Sequence, residues 1–213
     1  EPGEKVGVAL GGKTTTTKAD DQGAWSVELP VIKHGQGLEL TVKGKNTVAF
    51  KNLIVGDIWV CSGQSNMEMT LGGCLGAEDD IKAADLPKIR RIKFNHVQTG
   101  DLQADAPTAT PWQVCSPETA PQMTAVGFYF AREILGKTGV PIGIVDSNWG
   151  GTRIEPWVAA EGVDMVEALK ASGKNGYSGM YNAMINPIIK APIKGATWYQ
   201  GESNGEEGQS YND

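Results

Sequence analysis

Residues 53–61 form an almost unbroken apolar run that passes directly into the polar segment Ser62-Gly63-Gln64-Ser65-Asn66-Met67. A strand that is apolar along its whole length, rather than at alternate positions, is buried on both faces, as in a parallel sheet covered by helices on each side. In such sheets ligands bind beyond the carboxyl ends of the strands. A polar, glycine-containing segment at the end of this strand therefore falls where a site would be built.

The rest of the chain fits that frame. Similar runs recur at residues 89–97, 142–147 and 196–199. Between them, residues 123–135 place Val126, Phe128, Phe130, Ile134 and Leu135 on one broad apolar stripe, which predicts a helix. Thr138-Gly139 and Pro141 end it. Residues 165–171 and 181–189 are further helical candidates, the second interrupted by Pro187. Strands alternating with helices predict a three-layer α/β/α domain of flavodoxin-like form over residues 53–213, with a parallel sheet and right-handed crossovers.

Residues 1–52 read differently. Short β-branched or alternating runs at 6–10, 14–18, 24–29, 38–42 and 47–50 are separated by turn clusters such as Gly11-Gly12 and Lys43-Gly44-Lys45-Asn46. Five closely spaced strands predict part of a β-sandwich, with the threonine run 14–17 on an edge.

Composition removes some functions. The net charge of −6 attracts neither nucleic acid nor an anionic membrane surface. No run of about 18 apolar residues is present to span a bilayer. Cys61, Cys74 and Cys115 are odd in number, with no CxxC pair; one disulfide is open to them, and three thiols are the expected state. With two isolated histidines there is no ligand spacing for a metal. The chain opens on Glu1 and closes in a polar segment, and both ends are expected to be cuts through a longer protein.

Three polar segments follow apolar runs and would meet at one sheet edge: residues 62–67, Asn148-Trp149-Gly150-Gly151-Thr152, and Gln200-Gly201-Glu202-Ser203-Asn204. Ser65 is the candidate nucleophile, because a serine at a strand-to-helix turn exposes its hydroxyl and keeps its own N–H free. Met67 stands where the G-x-S-x-G elbow would need glycine, so the fold is not the α/β-hydrolase fold. Gly150 and Gly151 are candidate oxyanion donors through their N–H groups, and Gln200 through its side-chain amide. Asn66 adds a donor beside Ser65. Arg153 and Glu155 would bind a polar substrate or pair with each other, and Glu202 would orient a partner or hold hydroxyls. A serine esterase needs a base. His34 lies in a turn of the β-region, and nothing near His96 in the sequence suggests a carboxylate–histidine pair.

These segments are recognisable together. The string from Gly56 to Met69, including Gly56-Asp57-Ile58-Trp59 and Ser62-Gly63-Gln64-Ser65-Asn66-Met67-Glu68-Met69, resembles the opening block of the sialate O-acetylesterase family of the SGNH hydrolase superfamily. Asp146-Ser147-Asn148-Trp149-Gly150-Gly151-Thr152-Arg153-Ile154-Glu155-Pro156-Trp157 is similar to its second block. Tyr181-Asn182-Ala183-Met184-Ile185 and Ala196-Thr197-Trp198-Tyr199-Gln200-Gly201-Glu202-Ser203-Asn204 are similar to later ones. The resemblance implies Ser65 as nucleophile. It also implies oxyanion donors from the Ser65 backbone, from one glycine of the pair, and from Gln200 in place of the superfamily's usual asparagine. Asn66, Arg153, Glu155, Asn182 and Glu202 are expected at the substrate.

The family's base is a histidine in an Asp-x-x-His motif, which does not occur here, so it is expected from further chain or a second subunit. The implied reaction removes acetyl groups from O-acetylated sugars, without a cofactor, in proteins that are secreted, periplasmic or lysosomal. Two readings compete with a sialate esterase: an esterase of acetylated xylan or another polysaccharide, and a carbohydrate-binding module without activity.

Overall fold

A computed structural model describes residues 1–166 and 177–206. The chain divides into two units, Glu1–Gly56 and Asp57–Asp213.

The first unit is a four-stranded antiparallel sheet built from β1 (Lys5–Leu10), β2 (Lys13–Lys18), β3 (Gly35–Lys43) and β4 (Thr47–Val55), in the order β2-β1-β3-β4. Val6, Val8 and Leu10 alternate along β1 and are buried, the period-two pattern of a half-covered sheet. The threonine-rich β2 is an edge strand, as its polarity predicts. The expected strand at 24–29 does not form. Trp25, Val27 and Leu29 alternate as a strand would, but Trp25 and Leu29 are exposed, and Pro30 removes a donor directly afterwards. β4 also runs on through Val55, pairing Leu53 with Leu38 and Val55 with Gly35. The apolar run 53–61 is thus two strands, broken at Gly56.

The second unit is a mixed α/β domain. Its five-stranded sheet has the order β7-β6-β8-β5-β9, from β5 (Asp57–Gly63), β6 (Leu86–Phe94), β7 (Thr108–Cys115), β8 (Ile142–Asn148) and β9 (Gly195–Tyr199). β5, β6, β8 and β9 are parallel. β7 was not expected. It runs antiparallel to β6 at the edge, where the N–H missing at Pro111 disrupts no ladder.

β5, β6 and β8 alternate between two apolar clusters. Cys61, Ile89, Ile142 and Ile144 pack on one face with Met67, Phe128 and Ala131, from α1 (Ser65–Glu68) and α3 (Ala125–Thr138). Val60, Phe94 and Val145 pack on the other with Trp157, Met180 and Met184. The sheet is therefore covered on both sides, which gives the three layers.

In α3, Phe128 and Ala131 are buried, and Phe130 meets Trp59 edge to face at 4.7 Å. Gly139, in the left-handed conformation, ends this helix as expected. Two short helices also lie here, α2 (Glu78–Lys82) and α4 (Ala160–Met165). The expected helix at 165–171 lies largely outside the described residues. The segment 181–189 is a π-helical turn, Tyr181–Ile185, followed by a 3-10 turn, Asn186–Ile188, that carries Pro187.

Candidate active site

Ser65 stands at the carboxyl end of β5, the strand flanked on both sides by parallel neighbours. The turn that puts it there depends on Gly63, whose φ is +135°. A Cβ at this position would lie 2.0 Å from the Tyr199 carbonyl oxygen, so only glycine lets β5 pass β9 so closely. Gln64 then donates its N–H to that same carbonyl at 2.9 Å, and Ser65 begins α1 with its side chain exposed. The helix bonds run from Met67 and Glu68 N–H to the Gln64 carbonyl, both at 2.9 Å. They leave the first N–H groups unclaimed, as at any helix start. Among the described residues neither the N–H nor the hydroxyl of Ser65 has a partner.

α1 is held in place from beneath. The buried Thr124 hydroxyl donates to the Met67 carbonyl at 2.6 Å and accepts the Gly127 N–H as the N-cap of α3. Directly below, burial pushes the Cys61 thiol up to about 11, with the negative Asp146 in the same direction and a hydrogen bond from Thr197 opposing it. At neutral pH Cys61 is a thiol, not a competing thiolate nucleophile.

The three strand-end segments meet. A methyl group built on Gly150 would lie 3.5 Å from both Cα and Cβ of Ser65. Gly151, with φ +74°, faces open space. The Gln200 amide donates to Asn204 Oδ1 at 3.0 Å, to the Thr152 carbonyl at 3.2 Å and to Gln64 Oε1 at 3.4 Å. It therefore ties the second and third segments to the residue before Ser65. Asn66 Nδ2 donates to Glu202 Oε1, joining the first segment to the third on the exposed side.

The remaining expected substrate residues are more deeply engaged. Arg153 pairs with Glu155, Nη2 to Oε1 at 2.8 Å, and the Glu155 side chain is only 6% exposed. Burial pushes the Glu155 carboxyl up. Hydrogen bonds from Arg153, from its own backbone N–H and from Asn204 outweigh this, so its net shift is downward. Asn204 accepts the Ile154 N–H at 2.9 Å and donates to Glu155. The structure thus gives Glu155 a framework role, with Arg153 at the rim. Asn182 is buried, and its amide donates to the Thr99 and Gly100 carbonyls at 3.1 Å each, so it fixes a neighbouring loop.

His96 corrects the sequence reading. Its Nε2 lies 2.7 Å from Glu68 Oε1, and its ring stacks on Trp149 at 4.7 Å with planes 7° apart. A carboxylate–histidine pair does exist, joined through the fold rather than along the sequence. Glu68 Oε2 in turn accepts the Gly150 N–H at 2.6 Å. Beneath these, Lys93 Nζ donates to Asn148 at 2.6 Å and lies 3.4 Å from Asp146, which pairs with Arg91 at 2.8 Å. His34 is in the other unit.

Residues 55–213 match the family described as carbohydrate esterase, sialic acid-specific acetylesterase. The chain belongs to this family. Human sialate O-acetylesterase is 31% identical over 215 residues, covering 90% of this chain and 40% of that protein. The mouse sialate O-acetylesterase is 28% identical over 243 residues, covering 91% and 44%. The chain thus spans less than half the length of these curated relatives. A carbohydrate acetylesterase from Xanthomonas citri, known from its crystal structure, superposes with a TM-score of 0.87 at 36% identity, covering 96% of this chain and 46% of that one.

For this member of the sialic acid-specific acetylesterase family, reading the sequence missed Gln64, Glu68 and Asn204 as parts of the site. Glu68 follows Ser65 by three residues on one helix, a spacing that places two side chains on neighbouring positions of one face. That signal was present in the sequence. The Asn204–Glu155 and Glu68–His96 partnerships had no local signal.

Proposed function

We propose that this chain carries the nucleophile and oxyanion donors of a serine esterase that removes O-acetyl groups from sugars, with O-acetylated sialic acid as the substrate class. The observation that carries this reading is the packing of Gly150 against Ser65 at the carboxyl end of the sheet, so close that a methyl group on Gly150 would stand 3.5 Å from Ser65 Cα and Cβ. An exposed hydroxyl and a glycine backbone in that relation suit attack on a small acyl group. The names of the curated relatives and of the structural neighbour support the sugar acetate as substrate.

In this mechanism Ser65 Oγ attacks the acetyl carbonyl carbon and its proton passes to a base. The oxyanion is held by the Ser65 N–H, a glycine N–H of the 150–151 loop and the Gln200 amide, which leaves its bonds to Asn204, Thr152 and Gln64 to reach it. Collapse breaks the bond to the sugar oxygen, which takes the proton from the base, and leaves acetyl-Ser65. Water, deprotonated by the same base, then releases acetate. The base is a histidine supplied from outside residues 1–213, by further chain or by a second subunit. His96 is not given this part: its ring bonds to Glu68 and, among the described residues, makes no hydrogen bond to Ser65.

The test is hydrolysis of O-acetylated sialic acid and of an aryl acetate by the intact protein. Ser65→Ala is expected to abolish both, and a fluorophosphonate is expected to label Ser65. Retained hydrolysis by Ser65→Ala would overturn the assignment. Faster turnover of acetylated xylan than of acetylated sialic acid would move the substrate to plant polysaccharide.

A further inference from the structure

We infer that Glu68 is a positioning residue: it fixes the Gly150-Gly151 loop against Ser65 and leaves the Gly151 N–H as that loop's donor to the oxyanion. The inference rests on the esterase reading and assigns work within the same site.

The geometry is a closed ring of contacts. Glu68 lies one helical turn after Ser65, so its backbone moves with the nucleophile. One carboxylate oxygen accepts the Gly150 N–H at 2.6 Å, a short bond of the kind an ionised acceptor makes. The other lies 2.7 Å from His96 Nε2. The His96 ring is stacked flat on Trp149, the residue before Gly150. From Glu68 the ring therefore returns to the loop twice, through a hydrogen bond to Gly150 and through His96 to Trp149. A glycine pair has more backbone freedom than any other dipeptide, and this ring restricts it where the acyl group would sit.

The same contacts decide between the two glycines. The Gly150 N–H is bound to an anion, and an oxyanion would have to displace that anion to use it. Among the described residues the Gly151 N–H has no acceptor. A carboxylate this close to a developing oxyanion would oppose it if left unbalanced. Lys93 Nζ, 3.7 Å from Glu68 Oε1, supplies the compensating charge from below.

The experiment compares Glu68→Ala and Glu68→Gln in the intact protein, with active sites counted by fluorophosphonate labelling of Ser65. Hydrolysis of an aryl acetate is read per labelled site. For Glu68→Ala, kcat is expected to fall about 10²-fold with KM within about threefold, the effect of a misplaced donor. An arylboronic acid, which becomes a tetrahedral anion on the serine, should bind about 10²-fold more weakly. Glu68→Gln, whose amide oxygen can still accept the Gly150 N–H, should stay within about fivefold. If Glu68→Ala does not fold, Glu68→Asp, one methylene short of Gly150, is read by the same two measurements. Unchanged kcat per site and unchanged boronate affinity would overturn the inference, as would a faster Glu68→Ala enzyme. A Ser65→Ala protein that still hydrolyses acetate esters would instead bring down the esterase reading itself.

Discussion

At Gly63 a single hydrogen in place of a side chain allows β5 to pass the Tyr199 carbonyl and turn into α1. Alanine there would drive Cβ into a backbone oxygen at a φ that L-residues rarely adopt. Gly63→Ala is therefore expected to lose at least about 3 kcal/mol of stability, or not to fold, as read by urea denaturation. A stable, active Gly63→Ala protein would mean that the turn is not built as described. His96 is the opposite case. It is conspicuous because one of only two histidines lies at the site edge, yet it is joined to Glu68 rather than to Ser65. His96→Ala in the intact protein is expected to keep acetyl-ester hydrolysis within about tenfold, whereas removing a general base would cost about 10²-fold or more. A loss of that larger size would make His96 the base.

Among the elements, those with a strong local pattern were legible and those made by partnership were not. β8 was readable because Ile142, Ile144 and Val145 are apolar on both faces, and α3 because its stripe runs from Val126 to Leu135 before Gly139. β7 escaped notice because Pro111 and two polar threonines disguise a strand that needs burial on one side only. The segment 24–29 misled in the other direction, since its alternation finds no neighbouring strand among β1–β4. In the candidate site, the meeting of the segments that carry Ser65, Gly150 and Gln200 could be read because each segment follows an apolar run. The hold of Asn182 on the 99–103 loop was not legible, because it depends on contacts about 80 residues away. The α1–α3 junction is another such partnership, held by the Thr124 hydroxyl. Thr124→Ala, which removes a cap and strands a buried carbonyl, should cost about 1–3 kcal/mol. Thr124→Ser should recover most of it. Equal stability of the alanine and serine variants in urea would show that the hydroxyl contributes nothing.

For the whole molecule, acid is expected to undo the framework beneath the site. The folded carboxyl of Glu155 lies below its ordinary 4.5, so its contribution is fully present above that value and fades as pH falls through the lowered one. The stability gap between the parent and Glu155→Gln should then narrow below about pH 4.5, and a gap that holds constant to pH 3 would contradict this. If the base comes from outside residues 1–213, as proposed, these residues alone should hydrolyse an aryl acetate several orders of magnitude more slowly than the protein with its base, and adding the segment or subunit that carries the histidine should restore activity. Full activity from residues 1–213 would place the base within them. The neighbours of β5 have a further consequence, for synthesis. Its partners are β8, which follows about 85 residues later, and β9, about 136 residues later. At a ribosomal pace of about 5–20 residues per second, the apolar β5 waits some seconds for its first partner and longer for its second. During that interval β5 is an apolar strand with both edges unpaired, which makes this part of the nascent chain prone to aggregate.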